Sequence, residues 1–251
     1  MPDDFSTVSN LQNWDELLCL QPQAHFLQSS IWADFKSTQG WRPIYLQESQ
    51  TKLPVLVLKR FLPLLSKSLL YIPKGPALDW HQPESMHILQ TLLVFLKKRL
   101  APEHQALVIK LELEAAANQA KILPLAEQTG FVPSAWHPQF KKTMWLDLKP
   151  DEEAILNNFK SKTRYNIRLA QKKGVEIRQE TSPQSIKDFY QLHLETSKRG
   201  NFPVRPFDYY EQLWQRLLDK QAGCLLLAWH ATDLLGGAFI IKFADRVYYQ
   251  Y

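Results

Sequence analysis

The stretch WRPIYLQESQTKLPVLVLKRFLPLLSKSLLYI, residues 41–72, decides the fold. It holds three runs rich in β-branched, aromatic and leucine side chains: Trp41 to Leu46, Lys52 to Lys59 and Ser68 to Ile72. The first two are separated by the polar turn Glu48-Ser49-Gln50, the last two by a Pro-containing connection, and this pattern predicts three successive strands. The same order returns in GCLLLAWHATDLLGGAFIIKFADRVYYQY, residues 223–251. There the runs are Gly223 to Trp229, Leu235 to Phe243 and Arg246 to Tyr251, with Ala231-Thr232-Asp233 and Ala244-Asp245 as turns. Each third strand carries tyrosine: Tyr71 in the first, Tyr248 and Tyr249 in the second. Two copies of one α/β unit is the simplest account.

Outward from these runs the pattern turns helical. Short amphipathic helices are expected at Asn10 to Leu20 and Ser29 to Thr38. Pro83 to Leu100 places Met86, Leu89, Leu92, Leu93 and Leu96 at helical spacing, with Lys97, Lys98 and Arg99 in the last turn, where cations suit the helix dipole. Ala106 to Leu113 reads as a strand, Ala120 to Thr129 as a helix stopped by Gly130, and Lys142 to Leu148 as a further strand. Asp151 to Phe159 and Thr163 to Lys173 follow as helices, the second closed by Gly174. Val175 to Arg178 is a strand, and Pro183 to Arg199 and Phe207 to Lys220 are helices. The whole is a mixed α/β chain of two tandem domains, 1–148 and 149–251. The first copy continues beyond its third strand through a helix, strand, helix and strand. By that analogy roughly 70–80 residues would follow Tyr251, so a second domain cut within a strand is expected.

Composition narrows the partners. The 251 residues are 45% hydrophobic, enough for a substantial core, and 30 Lys+Arg against 25 Asp+Glu leave a mildly basic chain that suits a phosphate-bearing partner. Cys19 and Cys224 stand alone, and the seven histidines form neither a metal-ligand spacing nor a Ser/His/Asp set, so no metal or cofactor is expected. The N-terminus lacks a basic segment followed by an apolar one. The most apolar stretch, Leu53 to Ile72, is broken by Lys59, Arg60, Pro63 and Lys67, short of the ~18 apolar residues a membrane span requires. A cytoplasmic protein without a transmembrane segment is the resulting expectation.

Ordered motifs then carry a resemblance. QSSIWADFKSTQGWRPIYL (28–46), LLYIPKGPALDW (69–80), FKSKTRYNIRLAQKKGVEIR (159–178) and FYQLHLETSKRGNFPVRPFDYYEQL (189–213) resemble, in that order, segments of the Fem family of aminoacyl-tRNA-dependent peptidyltransferases. The resemblance runs from about Gln28 to the last residue. It implies a pair of acetyltransferase-like (GNAT) domains, of the type without a coiled-coil arm. It implies transfer of an amino acid from aminoacyl-tRNA to the stem peptide of a lipid-linked or UDP-linked muramyl precursor, at the inner face of the bacterial membrane. The ester is already activated, so positioning can supply much of the rate.

By the same resemblance, Lys36 matches a lysine that holds precursor phosphate, and Arg205, set between Pro203 and Pro206, matches a phosphate-binding arginine. Tyr249 and Tyr251 match cleft tyrosines; their spacing of two puts both on one face of a strand. Glu112 aligns loosely with an acidic cleft residue that could orient or deprotonate the attacking amine, although Glu112-Leu113 stands where the family shows Asp-Pro; pairing with Lys110 is its structural alternative. Lys160, Lys162, Arg164, Arg168, Lys172 and Lys173 form a basic stretch suited to tRNA phosphates or an anionic membrane surface. Arg164, Arg168 and Lys172 share one helical face, and Tyr165 and Ile167 are expected to turn inward. The loop Pro73-Lys74-Gly75-Pro76 is placed to approach a ligand. The competing readings are an acyl-CoA-dependent N-acyltransferase on the same fold, whose phosphate loop is not matched by IPKGPALDW, and a non-catalytic RNA- or membrane-surface-binding protein.

Overall fold

The computed structural model describes residues 4–114, 118–140 and 142–251. The chain divides into two compact units, Met1–Gln139 with Phe243–Arg246, and Phe140–Lys242 with Val247–Tyr251. Each is mixed α/β, with one sheet and flanking helices.

In the first unit the sheet runs β1 (Phe5–Thr7), β2 (Arg42–Glu48), β3 (Pro54–Leu62), β4 (Lys67–Ile72) and β5 (Ala106–Leu111), in that spatial order. β1 to β4 pair antiparallel, whereas β4 and β5 pair parallel. A parallel step needs a crossover. It is supplied by α3 (Glu84–Phe95), which continues through a π turn at Leu96–Leu100 into α4 (Ala101–Glu103). Val55, Val57, Leu70 and Ile72 meet Leu89, Leu92, Leu93 and Leu96 of this crossover in one core cluster. Leu56 and Leu58 alternate to the opposite face of β3, and α1 (Trp14–Cys19) and α2 (Ser30–Thr38) also pack on that strand. Burial on both faces explains why PVLVL reads as a continuous apolar run. The Ser29 hydroxyl caps α2 by accepting from Trp32 N–H, and Gly130, at φ +85°, closes α5 (Gln119–Gln128).

The second unit contains α6 (Glu152–Asn158), α7 (Ser161–Lys172), β6 (Val175–Glu180), α8 (Pro183–Gly200), α9 (Phe207–Asp219), β7 (Gly223–His230), β8 (Asp233–Phe243) and β9 (Arg246–Tyr249). Its sheet order is β6-β7-β8-β9. Phe189 of α8 and Trp214 of α9 both meet the Phe239 ring on β8. Gly237 makes this approach possible, since a Cβ there would lie 2.9 Å from Phe189 and from Leu227. The two units share one plan: a strand, two helices, then a three-strand meander that the first strand joins antiparallel (β1, α1, α2, β2-β3-β4; β6, α8, α9, β7-β8-β9).

Two expectations fail, and one strand goes unforeseen. Lys142 to Leu148 joins neither sheet and is irregular, with Met144 and Trp145 exposed. Apolar residues in an extended run make a strand only when a ladder partner accepts them. Tyr165 faces solvent rather than core, because α7 makes its tertiary contact with β6 and has no fully buried residue. β1 was not anticipated: three residues are too few to show a period, and only the burial of Phe5 reveals it.

Candidate functional site

Lys36 lies in the last turn of α2, and its backbone carbonyl accepts from Gln39 and Trp41 N–H. That turn brings the ammonium to 5.4 Å from the ring centres of both Trp32 and Trp41. Arg60, from β3, reaches the same Trp41 ring at 5.4 Å. Two cations on one indole is an unusual arrangement, since their mutual repulsion is offset only by the ring's negative face and by solvent. Among the described residues the Arg60 guanidinium has no hydrogen-bond or ion-pair partner. Its five donors are therefore presented to solvent in a fixed plane, the form that recognises phosphate bidentately. Arg60 and Trp41 were not singled out in the sequence. Trp41, five residues after Lys36, was the available signal.

Trp41 also contacts Tyr71, ring centres 6.1 Å apart. The Tyr71 hydroxyl donates to Glu112, which also accepts from Gln139 N–H at 3.2 Å, and the Gln139 side chain donates back to the phenol at 3.3 Å. Burial, and then the hydrogen bond to Glu112, push the Tyr71 phenol far above its ordinary range. Glu112 is thus held as an acceptor in a closed triangle. Lys110 is not its partner: that ammonium donates to the Trp136 carbonyl and sits 5.4 Å from the Trp136 ring.

The loop Pro73-Lys74-Gly75-Pro76 is fixed by Gln28, which is fully buried. The β3–β4 ladder stops at Leu58↔Tyr71. Beyond it, the Gln28 amide substitutes for a strand: it accepts from Leu56 N–H at 2.8 Å and donates to the carbonyls of Leu56 (3.2 Å) and Pro73 (2.7 Å). Gly75 lies so close that a Cβ would fall 2.5 Å from the Gln28 amide carbon. Lys74 instead joins a largely buried charge cluster. Glu114 meets Arg246 at 3.1 Å, Lys74 at 3.7 Å and His25 at 3.8 Å. Arg246 also donates to the Pro22 carbonyl and the Gln23 side chain. Burial first, then Lys74 and Arg246, lower His25 to about 3, so it is neutral.

In the second unit Arg205 is exposed just before α9, with its guanidinium 5.4 Å from the Tyr209 ring. It does not cap α9, whose N-cap is Pro206 with no side-chain bond. The Tyr190 hydroxyl donates to the Arg205 carbonyl at 3.0 Å. Beside it Tyr209 and Tyr251 are hydrogen-bonded to one another, burial raising both phenols. The Tyr251 ring also packs on Tyr210, His193 and Phe239. Tyr249 is exposed and outside this cluster, so the structure does not bring the two candidate tyrosines together. Tyr190 and Tyr209 are the residues that sequence reasoning missed here, although Tyr209, four after Arg205 on a helix, was within reach of it.

The basic stretch lies on and around α7. Lys162, Arg168 and Lys172 are exposed, as are Lys160 and Lys173 at the helix ends. Arg164 is not free for a ligand: it donates to the carbonyls of Asn157 and Phe159 and so closes α6.

A cavity of about 290 Å³ lined by Phe5, Thr91, Phe95, Lys98 and Arg99 contains none of these residues. Among the described residues no group of three His, Cys, Asp or Glu side chains is placed to hold a metal, and no helix is long and apolar enough to cross a membrane.

Comparison with known proteins agrees with this plan. The model of the FemAB family matches residues 11–123 and 126–229. The Lipid II:glycine glycyltransferase of Staphylococcus epidermidis is 26% identical over 221 residues, covering 84% of this chain and 52% of the relative. That of Staphylococcus aureus is 24% identical over 217 residues, covering 82% and 50%. The chain thus spans about half the length of the curated relatives it matches. The crystal structure of FemX superposes with a TM-score of 0.71 at 22% identity, over 89% of this chain and 57% of that one, which shows a shared fold. With the family model matching across both units, the chain belongs to the FemAB family.

Proposed function

We propose that the protein transfers an amino acid from aminoacyl-tRNA to the stem peptide of a muramyl precursor, in interpeptide-bridge formation, at the inner face of the membrane. The names of its relatives favour glycine as the amino acid and a lipid-linked acceptor. The reading is carried by three cations held on aromatic rings: Lys36 and Arg60 on Trp41 in the first unit, and Arg205 on Tyr209 in the second. Cations held against aromatic rings suit phosphate groups such as those of the precursor, and Arg60 and Arg205 are exposed. In the reaction the stem amine attacks the ester carbonyl, the amide C–N bond forms, and the ester C–O bond breaks. The amine proton ends on the departing ribose oxygen. Lys160, Lys162, Arg168, Lys172 and Lys173 are assigned to the tRNA backbone, and the division into domains 1–148 and 149–251 belongs to the same reading.

The acyl-CoA alternative gains little from the first unit. Its β4 and β5 stay zipped past Ile72 by Glu112 N–H to Ile72 carbonyl and Gly75 N–H to Glu112 carbonyl, leaving no open strand edge there for an extended ligand. The test is calorimetric titration with UDP-linked muramyl pentapeptide, acetyl-CoA as control. Saturable binding of the muramyl ligand alone is expected, weakened by roughly 1.5–3 kcal/mol in each of Lys36→Ala, Arg60→Gln and Arg205→Ala. Equal binding by wild type and all three variants, or binding of acetyl-CoA alone, overturns it.

A further inference from the structure

The tip of the β3–β4 hairpin is apolar and uncovered. Phe61 is 58% exposed, Leu64 101% and Leu65 56%. Monomeric surfaces carry scattered apolar residues, but three within five residues at one hairpin tip form a patch that marks an interaction. Pro63–Leu65 form a single 3₁₀ turn, and Ser66 closes it in the left-handed region, so the leucines project from a short fixed turn rather than a floppy loop. The flanks are basic: Lys59 and Arg60 lead in and Lys67 leads out. No acidic residue occurs between Glu48 and Asp79, a span containing Lys52, Lys59, Arg60, Lys67 and Lys74.

We propose that this hairpin tip is a membrane-docking loop, which inserts Phe61, Leu64 and Leu65 into the interface of an anionic bilayer while Lys59 and Lys67 sit among the headgroups. An apolar tip flanked along the chain by Lys59, Arg60 and Lys67 matches that surface: acyl chains below, negative charge above. A protein groove would also accept the leucines, but it would not call for a hairpin free of carboxylates. The geometry has a further consequence. Leu64 is four residues from Arg60, at most roughly 13 Å along an extended chain. Insertion of the tip therefore holds Trp41 and its two cations near headgroup depth, where the diphosphate of a lipid-linked precursor lies. The docking role stands on the hairpin itself and does not require that the precursor reading be correct.

The test is co-sedimentation of the whole chain with vesicles of equimolar phosphatidylglycerol and phosphatidylethanolamine, and with vesicles of phosphatidylcholine alone. Wild type is expected to partition onto the anionic vesicles and less onto the neutral ones, with salt weakening the binding. Leu64→Ser with Leu65→Ser should cut partitioning by roughly tenfold per leucine. Its melting temperature should change little, because Leu64 is fully exposed and Leu65 more than half exposed. Lys67→Gln should weaken binding to anionic vesicles only. Unchanged partitioning of the double-serine variant overturns the proposal, since α7 or another surface would then be responsible. Equal binding to both vesicle types overturns it too, as does a wild type that sediments with neither, which would leave the tip to a protein partner.

Discussion

His25 should make this protein lose stability in mild acid, and the amount follows from its geometry. Its Nδ1 accepts from Leu27 N–H at 3.1 Å, capping the 3₁₀ turn Phe26–Gln28, so the ring proton sits on Nε2, which faces Glu114 at 3.8 Å. Protonation would break the cap and add a cation beside Lys74 and Arg246, which already share that carboxylate. Burial and those two charges accordingly place the folded group at about 3, against about 6.5 in the unfolded chain. The folded pKa is the depressed one. The contribution is therefore complete above about 6.5 and is lost as pH falls toward 3. At pH 5 the folded imidazole is still neutral, so the loss is set by the unfolded histidine alone: about 1.5 pH units at 1.36 kcal/mol each, or about 2 kcal/mol relative to pH 7.5. His104 and His193, both lowered mainly by burial, add slopes of the same sign, so a matched variant is needed to isolate His25. His25→Asn keeps a capping acceptor and cannot titrate. Urea unfolding of both proteins at pH 7.5 and pH 5 should show wild type losing about 2 kcal/mol more than the variant. Equal losses would refute the argument, because they would mean that the neutral cap and the charge cluster do not govern His25.

Two further outcomes follow from the buried polar contacts. Gln28→Leu removes the amide that satisfies Leu56 and Pro73 and should cost about 3 kcal/mol or more in urea unfolding, since an apolar side chain strands buried backbone groups. A loss below about 1 kcal/mol would mean that water replaces it. Glu112→Gln should cost about 1–2 kcal/mol of stability through the Tyr71 contact and leave precursor affinity unchanged in calorimetry. A transfer rate lowered by a factor of about 100 or more in the variant, with stability intact, would instead assign Glu112 a general-base role.

The family motifs singled out Lys36 and Arg205, and the structure sets each beside an aromatic ring a few residues away: Trp32 and Trp41 for one, Tyr209 for the other. Arg60 was not legible in the same way. Its neighbour Trp41 lies across a strand pairing, and apolar periodicity does not say which strand a cation will meet. Glu112 was singled out in the sequence, but with Lys110 rather than Tyr71 as the partner considered.

What the sequence determined by itself was local. Strand and helix order, the caps at Ser29, Asp151 and Ser182, and the stops at Gly130 and Gly174 all depend on side chains a few residues apart. The repeated three-strand meander followed from that order, whereas the short β1 that completes the plan in the first unit did not. Tertiary structure alone decided where the remaining polar groups found partners. Gln28 completes a strand edge 28 residues away, and Arg246 reaches Glu114 across 132 residues. It also decided that residues 142–148 would stay outside both sheets despite a strand-like pattern. The reason is the same in each case. A period records which side of an element is apolar, but a buried amide, a shared carboxylate or a ladder needs a second group whose position is fixed only when distant elements pack.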